Sequence, residues 1–247
     1  MKKDFTKVFE IAAVFIGTVV GAGLASGKEI TQFFTSFGLK SFLGILFCGV
    51  FYVIMGSIIA KISPNLLGKI TGVITTFYLI SSASIILAGS GALINQFFGI
   101  PKIIGSLIMI AIATTFLLRD TEGLIEVNSF IVPSLLGTIT LIIILYFLFA
   151  KDSISFHVIS SFEPPKKGIV LSTILYAGYN ILCCSGVLVP LSNETKNSKN
   201  MVYGIAIGAL GLTLLSSVIN LLLLANQPYI YDSEIPLLLV AQRFGTV

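Results

Sequence analysis

Seven apolar stretches of this 247-residue chain read as membrane spans, and nothing else in the sequence constrains the fold as strongly. A helix needs about 20 residues to pass the roughly 30 Å of hydrocarbon. On that scale the spans run over 8–37, 41–62, 70–98, 103–118, 124–149, 168–191 and 201–225. Turn-forming residues punctuate the gaps, as in Ser63-Pro64-Asn65 and Gly99-Ile100-Pro101-Lys102. Only 11% of the residues are charged, against about 25% in a soluble domain, too few to cover a water-facing surface. The expectation is an all-α polytopic membrane protein in the cell membrane, with one transmembrane domain over 1–247 and the lipid bilayer as its surroundings.

The termini and loops add orientation. The opening MKKDFTKVFE is basic, yet the apolar run behind it is too long for a signal-peptide core, so an uncleaved first span is expected. With a cytoplasmic N-terminus the inner side holds eight Lys and Arg residues and the outer side six, a small bias toward that orientation. No basic run or aromatic platform supports nucleic-acid binding. Cys48, Cys183 and Cys184 lie in apolar runs without disulfide or metal spacing, and His157 stands alone, so no metal site or resident cofactor is expected.

The first span is unusual. Thirty helical residues reach about 45 Å, well over the hydrocarbon thickness, and residues 19–29 read VVGAGLASGKE near its middle. A dinucleotide loop requires an acidic residue about 20 positions later and GxGxxG spacing. Residues 41–50, SFLGILFCGV, hold no acid, and the spacing is GxGxxxG. Two readings remain open. Gly17 with Gly21, and Gly23 with Gly27, are small-xxx-small pairs that let helices approach closely. The alternative is an unwound segment. A second small and polar interruption, LYAGYNILCCSG at 175–186, falls five spans later, and paired interruptions at corresponding places of a repeat point to a transporter site. Unpaired backbone groups in hydrocarbon are costly, so such a break persists only where it lines a cavity or binds something. The half-helix after a break offers N–H groups and a positive dipole end to a carboxylate, and the carbonyls before it suit a cation.

GTVVGAGLASG at 17–27 resembles the first-helix motif of the amino acid–polyamine–organocation superfamily, whose members share the leucine-transporter fold. ILYAGYNILCCSGVLVPLSNETKNSKNMVYGIAIG at 174–208 resembles that superfamily's sixth helix and its lead into the seventh, and SEIPLLLVAQRFG at 233–245 resembles the lead-in to the eighth. Within the superfamily, GAGLASGKEITQFF is most similar to a bacterial group of transporters of unassigned substrate. The resemblance implies ten core helices in two inverted repeats of five, with helices 1 and 6 broken. The chain stops at Val247, so this leucine-transporter-like 5+5 fold is expected here truncated after the seventh helix, with helices 8–10 absent.

The implied function is secondary active transport of a small amino-acid-like substrate, carrying a carboxylate, by alternating access. Na+ or H+ would be the coupling ion. The backbone of Gly21, Ala22, Gly23, Leu24, Ala25 and Ser26 would face Tyr176, Ala177, Gly178, Tyr179 and Asn180 around the substrate. Carbonyls of Gly17 and Val20 are candidate ion ligands. Lys28 and Glu29 are the charges well inside a span and are candidates for a gate or for proton coupling, or else are solvated in a wet vestibule. Tyr78 and Ser82, four apart on the third span, are candidate pocket residues, with helix packing as the alternative for the hydroxyls of that span. A nutrient sensor on the same fold, as in spore-germination receptor subunits, is the competing function. A membrane enzyme would need a polar catalytic cluster near one face, beyond the scattered acids of 120–126.

Overall fold

The computed structural model describes residues 2–59, 66–149, 159–160, 163–195, 198–233 and 235–242. His157 and most of the polar connection at 151–167 lie outside them. The described chain is helical. The first apolar stretch is divided into α1 (Lys2–Val19), the single turn α2 (Ala22–Ala25), α3 (Lys28–Phe33) and a 3-10 segment (Thr35–Lys40). Long helices follow: α4 (Ser41–Ile59), α5 (Leu66–Phe98), α6 (Lys102–Leu117), α7 (Asp120–Phe149), α8 (Ile169–Thr195) and α9 (Ser198–Leu224). A short α10 (Pro236–Ala241) closes the described chain. Among the described residues, four helical stretches, Thr35–Ile59, Ile125–Tyr146, Ile169–Ser192 and Ser198–Leu224, are long and apolar enough to cross a membrane, and Leu79–Asn95 and Lys102–Leu117 are shorter apolar helices.

One expectation is overturned. α8 runs without interruption through 175–186, so the sixth stretch is not broken. The small residues Ala177, Gly178, Cys183, Cys184 and Ser185 are compatible with a helix that its neighbours hold, and propensity is a weak constraint beside tertiary packing. Pro190 lies inside the same helix, which membrane helices tolerate where surrounding groups satisfy the freed carbonyl.

Packing centres on α9. Its buried face carries Gly204, Ile205, Gly208, Leu212, Leu215 and Ile219. The most extensive helix pairs are α1 with α9, α9 with α4, α5 with α6, and α4 with α8. The closeness of α1 to α9 depends on glycine. A Cβ on Gly204 would lie 2.5 Å from Ile11, and one on Gly208 2.9 Å from Phe15. Gly208→Leu is therefore expected to destabilise the protein by about 1–3 kcal/mol, the usual cost of overpacking, read as a lowered midpoint of thermal unfolding in detergent. An unchanged midpoint would show that α1 and α9 are not in this contact. Toward the periphery, Phe98, Ile103, Leu118 and Phe149 are exposed, as side chains facing lipid tails should be.

Candidate functional site

The division of the first stretch has a local cause. Val20 donates the last regular helical bond, to Ile16 at 2.8 Å, and Gly21 closes a tight turn onto Val19 at 3.0 Å. After α2, Gly27 adopts φ 80°, left-handed backbone that glycine takes without a Cβ penalty. The Ser26 hydroxyl steadies this turn, donating to the Gly23 carbonyl at 3.0 Å and accepting from the Lys28 N–H at 3.3 Å. The chain beyond α9 folds back over the turn. The Leu237 N–H donates to the Ser26 carbonyl at 2.9 Å, and Lys28 Nζ donates to the Ser233 carbonyl at 2.7 Å.

Gly23 faces Glu29. A Cβ on Gly23 would overlap the Glu29 side chain, so the missing side chain makes room for a carboxyl group six residues further on, in α3. That carboxyl lies beside Tyr176 of α8. The Tyr176 ring is held between Phe33, at 5.2 Å, and Phe34, edge-on at 4.9 Å. Tyr52 of α4, packed edge-on against Phe15 at 6.0 Å, adds a second phenol next to Tyr176 and Asn180. Among the described residues, Glu29 Oε2, Tyr176 Oη and Tyr52 Oη, together with Thr173 Oγ1 and Asn226 Oδ1, are buried without a well-formed hydrogen bond, although the Glu29 carboxyl adjoins the Tyr176 hydroxyl and both phenols adjoin Asn180. Native proteins leave few buried polar atoms unpaired, and such groups collect at functional sites. Between Val19, Cys48, Tyr52, Tyr176, Thr213 and Ser216 the space for the centre of a water molecule is about 10 Å³, room for a single water.

The sequence-derived candidates divide. On an unbroken helix five consecutive residues cannot share a face, because each turns about 100° from the last. Accordingly Tyr176, Ala177 and Asn180 are buried while Tyr179 is half-buried, and a Cβ on Gly178 would meet nothing within 4 Å. Gly178 thus turns away from the cluster that contains Tyr176 and Asn180, while the half-buried Tyr179 remains close enough to interact with Tyr176. On the first stretch Leu24 is fully buried and Gly21, Gly23, Ala25 and Ser26 are half-buried. Gly17 faces Asn128 and Val132 of α7, a close helix approach, and Val20 lies in the non-helical link. Ser82 is half-buried on α5, which meets α8 where Leu79 faces Gly186. The side chains of Ala22 and Tyr78 lie outside the described residues.

Sequence reasoning missed Tyr52 and Cys48. Their spacing of four puts both on one face of the second span, but that spacing does not say which helix the face meets. It also missed a buried polar clamp just beyond Phe34. There Thr35 Oγ1 donates to Asn220 Oδ1 at 3.0 Å, and Asn220 Nδ2 donates to Ser41 Oγ at 2.7 Å. Asn220 stands on α9, nearly two hundred residues from its partners.

Known proteins add the family. The chain is 32% identical to the uncharacterized membrane protein YkvI of Bacillus subtilis, over 99% of this chain and 74% of that protein. It belongs to the YkvI family. The uncharacterized protein YyaD of the same organism is 25% identical over 93% of the chain and 70% of its own length. No family model and no solved structure matches. The apolar helices and the YkvI relationship together make this a membrane protein. For a YkvI-family protein, the Glu29–Tyr176–Tyr52 cluster is accordingly a polar site inside a membrane domain rather than in a soluble core.

Proposed function

We propose that this YkvI-family protein is a secondary active transporter that moves a small amino-acid-like zwitterion by alternating access, coupled to Na+ or H+. The observation that carries the reading is the buried polar cluster of Glu29, Tyr176 and Tyr52 where the first span is interrupted, in which no cation faces the carboxylate among the described residues. An ionisable group kept inside a membrane domain without an opposite charge is costly, and a substrate ammonium is the partner that offsets this cost. The substrate carboxylate then takes the backbone N–H groups of Ala22, Gly23 and Leu24 at the turn after the break, beside the open Gly21. From α8, Tyr176 and Asn180 contribute side chains rather than an unwound backbone. Lys28, tied to Ser233, and Ser26, tied to Leu237, form the outer gate. The coupling ion is either Na+ at the carbonyls of Gly17 and Val20 or a proton on Glu29.

Helix pairing supports the inverted-repeat fold behind this reading. An exchange of the first span with the sixth and of the second with the seventh carries the α1–α9 contact onto the α8–α4 contact, and both are among the most extensive in the bundle. The same exchange carries the α4–α9 contact onto itself. The N-terminus is cytoplasmic in this scheme.

The test is accumulation of each of the twenty radiolabelled protein amino acids in proteoliposomes, under an imposed Na+ or H+ gradient. At least one should accumulate above protein-free vesicles and leak out when its driving gradient is collapsed. Saturable binding without accumulation would make the protein a sensor. Neither binding nor accumulation of any of the twenty would overturn the amino-acid reading.

A further inference from the structure

A second site lies away from this cluster, at the end of the bundle where α3 leads into α4 and α8 begins. We propose that it binds the phosphate of an anionic glycerophospholipid, whose acyl chains lie along the groove between α4 and α8. The proposal does not depend on the transport reading.

A cavity of about 450 Å³ opens there, lined by Lys40, Lys166 and Lys167 together with Phe37, Ile159 and Ile169. Its wall is tied in place: the Lys166 N–H donates to the Ser36 carbonyl at 3.0 Å, and Lys166 Nζ donates to the Gln32 carbonyl at 3.2 Å. Lys40 and Lys167 are exposed and, among the described residues, neither has an ion-pair partner. Elsewhere an ion pair joins Arg119 to Glu126, between α6 and α7. The nearby Glu163 is exposed and unpaired within the described residues. Gly168 also lines the cavity and immediately precedes α8, a 27-residue helix whose positive dipole end adds to the three ammonium groups. Three positive side chains and a long helix start around one cavity call for an anion.

The surface below the cavity identifies the source of that anion. On α4, Leu43 and Leu46 are exposed, and on α8, Val170, Leu171 and Ile174 are exposed. The two helices meet closely between these rows, because a Cβ on Gly44 would lie 2.7 Å from Thr173 Oγ1. A cationic cavity thus tops a strip of apolar side chains that begins one turn below the lysines. A soluble phosphate ester would use the lysines and leave the strip without a role. A phospholipid uses both, and basic pockets beside membrane helices are suited to anionic headgroups.

The experiment is native mass spectrometry of the purified protein in neutral detergent, titrated with phosphatidylglycerol, phosphatidylcholine or glycerol 1-phosphate. Phosphatidylglycerol should be retained at least fivefold over phosphatidylcholine, and millimolar glycerol 1-phosphate should not displace it. The Lys40→Gln/Lys167→Gln double variant should retain the two lipids about equally. Lys102→Gln, at the start of α6, should keep the wild-type preference. The proposal is overturned if the double variant keeps the fivefold preference. It is equally overturned if Lys102→Gln loses the preference as fully, or if glycerol 1-phosphate displaces the lipid, which would make this a soluble-anion site. Should the double variant not remain monodisperse, each single variant is read the same way, and undiminished preference in both overturns the proposal.

Discussion

Glu29→Gln is expected to lower gradient-driven amino-acid accumulation roughly a hundredfold, about 2.7 kcal/mol in transition-state terms, without weakening the fold. Glutamine has nearly the same shape and fits the room that Gly23 leaves. What it removes is the charge. If that charge pairs with the substrate ammonium in a desolvated site, its loss should cost about 2–5 kcal/mol. The same substitution relieves the cost of holding a charged carboxylate oxygen buried, so the midpoint of thermal unfolding should stay constant or rise. Accumulation equal to wild type in the Gln variant would show that Glu29 is only a solvated charge of a wet vestibule. Tyr176→Phe is the companion change: it keeps the ring between Phe33 and Phe34 and removes only the hydroxyl beside Glu29 and Asn180.

The second large effect is expected at Gly23. A valine there cannot coexist with the present Glu29 side chain, so Gly23→Val should abolish binding of the accumulated amino acid and destabilise the protein by about 1–3 kcal/mol. Two neighbours calibrate this outcome. Ser26→Ala removes the bond to the Gly23 carbonyl and should cost about 0.5–1.5 kcal/mol of stability. Gly21→Ala places a Cβ where nothing lies within 4 Å, so folding should be unaffected. A large loss of affinity in Gly21→Ala would therefore report a ligand approaching that backbone. Affinity is measured by titration on the monodisperse fraction of each variant. Wild-type affinity in folded Gly23→Val would return this glycine to helix packing alone.

The unequal fates of the two glycine-containing segments show where local sequence stops being sufficient. VVGAGLASGKE and LYAGYNILCCSG look alike as interruptions of an apolar run. In the first, Gly27 takes a left-handed conformation and Gly23 yields its Cβ space to Glu29, so the helix divides. In the second, Gly178 meets no neighbour that requires it to be glycine, and the helix continues. The difference is not in composition. It lies in what surrounds each glycine, and those neighbours come from other parts of the chain: Leu237 beside Gly27, and Tyr176 beside the Glu29 carboxyl.

What the sequence alone determined is the class of the molecule. Long apolar stretches, scarce charge and turn residues between spans dictate membrane helices, because hydrocarbon solvates neither charges nor unpaired backbone. The oddness of the first stretch was equally legible, since its length and its glycines are local properties. The tertiary structure alone decided which polar residues meet. Glu29 and Tyr176 are separated by most of the chain, and Tyr52 shows its role only when α4 packs against α8. Helical periodicity says which residues share a face, but not which face turns toward a neighbouring helix and which toward lipid. In a bilayer both faces can be apolar, so the hydrophobic pattern that marks the buried side of a soluble helix is weak here. The assignment falls instead to close contacts of small residues such as Gly204 and Gly208, and to the few polar groups the bundle encloses.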